Sequence, residues 1–378
     1  MFRFIFKSIH SSSRISEVFK LYSTSAKNAK KPIFFPNGNQ DSFTVQYLIK
    51  KCGFSIEKAV IVSTKYVKFD KPDKPDSVIY FLKHQGFTES QIRKMLAIDP
   101  RILSANCENT LLPKIEFFRS KGATMKDLVR ILVFSPTIFK RSLEGYILPS
   151  FDFIKDYVGS DKDVIIAIST CPKLLLENEV RVKPSVAILL WAGMSQSQMG
   201  YLMKKRPQLF VSGSERLKES VKQVQELGMD PRYSAYGFAL AILTITRRVT
   251  WDKRMEAYKS WGCSEDDVWR TFKILPFLMS VSVEQINGVM SLFVHEIGWQ
   301  SSEVVKKYFM FTLSLKKRMI PRWTVYQELL SKGLVKNEVI RSTMFTMKED
   351  LFLKKFVNCY KTEAPLLLQL YIEKQASK

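Results

Sequence analysis

Between Gly86 and Lys121 apolar side chains recur at helical spacing in two runs separated by a sharp break. Ile92, Met95 and Leu96 stand at i, i+3 and i+4, on one helical face. Ahead of them Thr88 and Gln91 have capping-box spacing, a hydroxyl and an amide able to satisfy open N–H groups at a helix start. Pro100 stops this helix, because its ring disfavours a helical residue before it and it has no N–H to donate. Leu111, Leu112, Ile115 and Phe118 begin a second stripe, in which Pro113 is expected in the first turn. Gly122 suits the left-handed end of that helix. The pattern predicts a helical hairpin of about 35 residues.

The same punctuation recurs along most of the chain. Glycines at 53, 86, 122, 159, 193, 228, 262, 298 and 333 are separated by 33 to 37 residues. Two positions after them stand Ser55, Thr88, Thr124, Asp161, Ser195, Asp230, Ser264, Gln300 and Val335, of which seven are good N-caps. Prolines at 100, 136, 172, 207 and 276 each follow their glycine by 13 or 14 residues, and Pro113, Pro149 and Pro184 form a second series opening the second helices. Three registers in phase predict an all-α solenoid of about eight or nine helical hairpins, each burying its apolar face on its neighbours. Second-helix stripes such as Leu217, Val221, Val224 and Leu227, or Ile286, Val289, Met290, Phe293 and Ile297, are the expected core.

The words Phe-Ser-Pro-Thr-Ile-Phe (134–139), Cys-Pro-Lys-Leu-Leu (171–175), Arg-Pro-Gln-Leu-Phe (206–210) and Leu-Pro-Phe-Leu (275–278) carry a more specific signal. Over roughly residues 43 to 370 the chain resembles the mitochondrial transcription termination factor family (mTERF), whose many plant members act in organelles. The resemblance implies a superhelix of repeats, each with two α-helices and a short third one, binding nucleic acid along a basic groove. Three units depart from the pattern, with Ile242, Thr312 and Met347 where the proline is expected. A tetratricopeptide or pentatricopeptide array is disfavoured by the repeated mid-unit proline and the absence of a Trp-x-x-Leu-Gly-x-x-Tyr pattern.

The first forty residues have a different character. They carry seven bases against the single acid Glu17, several serines, and Phe2, Phe4, Ile5, Phe6 and Ile9 as an apolar face. Basic, Ser-rich and acid-poor is the composition of an organelle transit peptide. The Lys20–Thr24 segment resembles a mitochondrial processing site, with Lys where Arg is usual. Residues 1–40 therefore read as transit peptide and linker, and 41–378 as the helical-repeat domain, in the mitochondrion or alternatively the chloroplast.

The chain has a formal charge of +23, and the leader's seven bases and one acid leave +17 for the rest. Such an excess suggests a polyanionic partner or an anionic membrane surface. No apolar run approaches the length of about 20 residues that spans a bilayer. The five isolated cysteines signal neither zinc nor a disulfide framework. His84 and His295 have no Cys or His at ligand spacing, and no Walker loop, GxGxxG or GxSxG occurs. Gly213-Ser214 reads as a turn with a helix cap, and Glu265-Asp266-Asp267 as first-turn acids meeting a helix dipole. No enzyme activity, catalytic residue, cofactor or metal is expected.

The functional signal lies in short basic clusters: Lys140-Arg141, Lys204-Lys205-Arg206, Arg247-Arg248, Lys253-Arg254, Lys306-Lys307, and Lys316-Lys317-Arg318 with Arg322. Most fall near the mid-unit turn, and a shared phase would line them up along one edge as a phosphate-tracking face. The leading expectation is a monomeric organellar protein that binds DNA or RNA and regulates organelle gene expression, alongside other organellar gene-expression proteins. Two alternatives compete with it: a protein-interaction scaffold in such a complex, and a peripheral membrane protein, which would need an exposed amphipathic basic helix.

Overall fold

The computed structural model describes residues 42–335 and 342–376, so the expected leader lies outside the described residues. Every regular element among them is helical. The chain packs as two compact units. One runs up to Trp191 and includes Ser195–Glu215; the other holds Ala192–Met194 and Arg216–Lys378.

The punctuation residues form the elements as their chemistry requires. All nine repeat glycines have φ between 68° and 94°, a conformation that costs other residues and lets the chain reverse at once. The next residue then bonds back to the helix, as Ala123 N–H does to Phe118 O. Thr88, Thr124 and Ser195 close capping boxes with Gln91, Asp127 and Gln198, while Ser55 and Ser264 cap by side chain alone. Two expected caps move. Ser160, not Asp161, caps the Asp161–Thr170 helix. Asp230 instead holds the backbone N–H and guanidinium of Arg232, and the helix starts later, at Ser234.

Mid-unit prolines open a short third helix: Pro100–Ser104, Pro136–Lys140, Pro207–Val211 and Pro276–Ser280, with Pro172 just before Lys173–Leu176. Its apolar pair plugs the hairpin, as Ile102 with Leu103 and Ile138 with Phe139, all buried. Where Ile242 replaces the proline, the Ser234–Ile245 helix continues unbroken and the chain passes almost directly into Arg248–Ser260. Thr312 ends a third helix that forms without proline, Tyr308–Thr312, and Met347 caps the short helix Thr343–Thr346.

The second prolines stand deeper than expected. The second helices begin at caps such as Asn106, Ser142 and Ser314, seven residues before Pro113, Pro149 and Pro321. In each, and before Pro184, a five-residue π-type turn precedes the proline: Cys107–Leu111, Leu143–Ile147, Asn178–Val182 and Leu315–Met319. Second helices without the proline, Ser214–Glu226 and Arg248–Ser260, have no such turn at their start. The wider turn gives room to a ring that would otherwise press on the carbonyl four residues back.

The core follows the predicted stripes. Leu217, Val221, Val224 and Leu227 are buried, as are Ile286, Val289, Met290 and Phe293, while Ile297 is half-buried. In the first unit the first helices Glu89–Ile98, Met125–Val133, Asp161–Thr170 and Gln196–Lys205 pack in series. In the second, Ser234–Ile245, Glu265–Ile274 and Ser301–Lys306 do the same. Gly200 marks the closest crossing, since a Cβ there would lie 2.1 Å from Tyr157 O.

Candidate nucleic-acid interface

The basic clusters do not occupy one phase of the repeat. Lys204–Arg206 ends a first helix, Arg247-Arg248 joins a first helix to a second, Lys253-Arg254 lies inside a second helix, and Lys316–Arg318 forms the first turn of one. Their side chains divide into those the protein uses itself and those it leaves to solvent.

Arg322 leaves the candidate set. Its side chain is fully enclosed, its guanidinium donates to the carbonyls of Met344 (2.8 Å), Phe345 (3.2 Å) and Met347 (2.8 Å), and it pairs with Glu349 at 2.9 Å. It also lies over the Phe352 ring. No phosphate can reach it. Glu349 also accepts from Tyr371 and Gln375. Burial pushes the Glu349 carboxyl up, but the bonds from Tyr371 and Arg322 outweigh it and hold the group below its ordinary range.

Lys140 and Lys204 bridge helices through carboxylates. Lys140 reaches Asp99 at 2.6 Å, and Lys204 reaches Asp163 at 3.1 Å. Asp99 is enclosed and also takes a two-pronged contact from Arg101 at 2.7 and 3.2 Å. Burial raises its affinity for a proton, yet the bonds from Arg101 and Lys140 win and its pKa falls below the usual carboxylate value. Arg248 pairs with Asp252 at 2.8 Å, and Arg206 is half-buried. Arg141 lies 4.5 Å over the Tyr146 ring, and Lys307 over Trp299.

Arg254 and Arg318 belong to a recurrent device that periodicity does not show. In each of six successive second helices, one side chain donates to a carbonyl at the end of the next repeat's third or first helix. The pairs are Tyr146 to Leu176, Arg181 to Val211, Arg216 to Thr246, Arg254 to Met279, Gln285 to Leu313, and Arg318 to Thr346 and Met347. The last carbonyls of a helix lack partners in their own helix, and a cation there also meets the negative end of its dipole. The residues of a pair stand 25 to 30 positions apart, so each bond ties one repeat to the next.

What remains of these clusters for a polyanion is Lys205, Arg247, Lys253, Lys306, Lys316 and Lys317, all exposed and with no carboxylate partner among the described residues. A second basic feature lies in the first unit. Arg101, Lys114, Lys140 and Arg141 line a cavity of about 460 Å³ together with Thr110 and Phe139. Sequence reading passed over Arg101 and Lys114, although each directly follows a repeat proline.

No cluster of His, Cys, Asp and Glu able to hold a metal occurs among the described residues, and none of their helices is long and apolar enough to cross a membrane. His84 and His295 are exposed, each against an aromatic ring, Tyr80 and Trp261. Acids at Glu265–Asp267 follow the Ser264 cap, as first-turn acids should.

Among curated proteins no relative matches. The sequence model of mTERF matches residues 79–233 and 239–353, which takes in most of the repeats just described. The glycine-closed hairpin, the proline-led third helix and this match agree: the chain belongs to the mTERF family.

Proposed function

We propose that this chain is an organellar protein that binds DNA or RNA and regulates organelle gene expression by occupying its target, at transcription termination, transcription, splicing or RNA maturation. The observation that carries the reading is the set of exposed bases without a carboxylate partner among the described residues, in three repeats of an mTERF protein: Lys205, Arg247, Lys253, Lys306, Lys316 and Lys317. Bases of this kind hold phosphates and set affinity and register without reading sequence. The protein acts as a monomer and without catalysis. Residues up to about Tyr22 direct import, to the mitochondrion in the first instance and to the chloroplast as the alternative. N-terminal sequencing of the mature protein tests that step, and a mature chain starting at Met1 or Phe2 contradicts cleavage.

Crosslinking in purified organelles followed by sequencing of bound DNA and RNA tests the reading as a whole. The expected result is a small set of enriched organellar sites in one of the two polymers. No enrichment in either rejects it and favours the scaffold reading. That second reading has its own support in the last helix, Leu367–Ala376, where Leu368 and Ile372, with Leu366 just before it, expose apolar side chains.

A further inference from the structure

The residue three positions before the second-helix proline crosses to the next repeat as Tyr146, Arg181 and Arg318. In the Gly86 repeat that position is Thr110, too short to cross. The residue directly after the proline is enclosed in all four repeats: Lys114, Ser150, Ser185 and Arg322. Where Arg322 fills its site and meets Glu349, Lys114 borders a cavity that stays open. Lys114 is only 6% exposed, and its ammonium donates one bond, to Thr110 O at 2.9 Å. An ammonium has three donors, so two are left without a partner among the described residues, beside the cavity that Lys114 lines. No acid lines the cavity; Asp99 sits behind it, already held by Arg101 and Lys140.

We propose that this pocket binds a phosphate monoester, either the terminal phosphate of a nucleic acid or that of a free nucleotide; the choice of nucleic acid as carrier rests on the function proposed above. Four cations, Arg101, Lys114, Lys140 and Arg141, face one carboxylate, an excess that suits a group carrying between one and two negative charges near pH 7. The carbonyl end of the five-residue Pro136–Lys140 helix opposes an anion only weakly beside them. Depth decides between monoester and diester. An internal phosphodiester is tethered on both sides and meets the exposed Arg101 and Arg141 at the rim. Only a singly tethered phosphate can descend to Lys114, and there it gains charge-assisted bonds that a hydroxyl end cannot make.

The test uses the full chain and one oligonucleotide sequence ending in 5′-phosphate, 3′-phosphate or hydroxyl groups, with AMP and inorganic phosphate as separate ligands. One phosphorylated end should bind about tenfold or more tightly than the hydroxyl end, the scale of one or two charged hydrogen bonds. Lys114→Met should bring that ratio to one. Thr110→Arg, which supplies the crossing side chain found in other repeats, should fill the cavity and do the same, with circular dichroism confirming that both variants fold. AMP that displaces the phosphorylated end, and binds the wild type but not Lys114→Met, identifies a free nucleotide as a ligand of the same pocket. Equal binding of phosphorylated and hydroxyl ends, with no Lys114-dependent binding of AMP or phosphate, overturns the proposal. If no oligonucleotide binds at all while AMP binding still falls in Lys114→Met, the nucleic-acid reading fails and the pocket stands.

Discussion

Lys114 and Arg322 occupy the same place in two repeats, one residue past the second-helix proline, and both are enclosed. Their surroundings are opposite. Arg322 meets one carboxylate and three carbonyls of the next repeat through its two terminal nitrogens, so its charge is paired within the chain. Lys114 meets one carbonyl of its own helix and makes no ion pair; burial pushes its pKa below the ordinary lysine value. A buried charge is stable when paired and costly when alone. The first site is therefore finished within the chain, and the second is finished only by an anion from outside. Equivalent positions in a repeat need not share a role; the count of local acceptors decides.

The largest effect should come from breaking the finished site. Arg322→Met takes the cation from Glu349 and this donor from the Met344 and Phe345 carbonyls, and should lower stability by more than about 3 kcal/mol, because several charged hydrogen bonds of about 1.5–3 kcal/mol each are lost together. Lys114→Met removes a desolvated cation that has no carboxylate, and should shift stability by less than about 0.5 kcal/mol or raise it slightly. Urea unfolding of both variants checks the contrast. Similar losses at the two positions would mean that enclosure, not partnering, sets the energetics.

The couplers come next. Arg254→Ala removes a charged donor from Met279 O and should cost about 1.5–3 kcal/mol. Hydrogen exchange should show the loosening concentrated in the repeats that Arg254 joins, since each repeat touches mainly its neighbours. A uniform loss of protection across the chain would contradict a nearest-neighbour role.

Asp99 gives a pH-dependent version of the comparison. Its folded pKa lies below its unfolded value near 3.9, so its ionised form stabilises the fold above that value. The contribution fades as pH falls from about 4 toward the lower folded value. The stability difference between wild type and Asp99→Asn should accordingly be constant above about pH 5 and shrink below about pH 4. A difference that grows on acidification would reverse the assignment of Arg101 and Lys140 as its stabilising partners.

Local physics explains why some of this was legible in sequence. A positive-φ glycine, a cap and an apolar stripe each act within one or two turns, so Gly122, Thr88 and Leu217 declare their roles in short windows. The π-type turn before Pro113 was hidden, because the start of that helix depends on the Asn106 cap and not on the proline. Arg322 was misjudged because it sits close to Lys316–Arg318 in the chain while sharing its repeat phase with buried Ser150 and Ser185. Aligning the second prolines would have turned it inward. The couplers were invisible for another reason: donor and acceptor lie in different repeats, and the acceptor is a backbone carbonyl that no side-chain pattern encodes.

The smallest effect on stability should separate adjacent residues of one cluster. Lys316 and Lys317 are exposed and have no acidic partner among the described residues, whereas Arg318 donates to Thr346 and Met347 carbonyls across the repeat boundary. Lys316→Ala with Lys317→Ala should change stability by no more than about 0.5 kcal/mol. If both hold phosphates, the pair should weaken binding to specific and scrambled targets by similar factors. The slope of log K against log salt should fall by about 1.8 on duplex DNA or about 1.4 on a single strand. Arg318→Ala should do the reverse, costing about 1.5–3 kcal/mol of stability with the slope unchanged. Affinity and slope measured over a salt series, beside urea midpoints, distinguish the two kinds of base within three consecutive residues. An unchanged slope in the double lysine variant means that these exposed bases are solvated surface only, and the scaffold reading then leads.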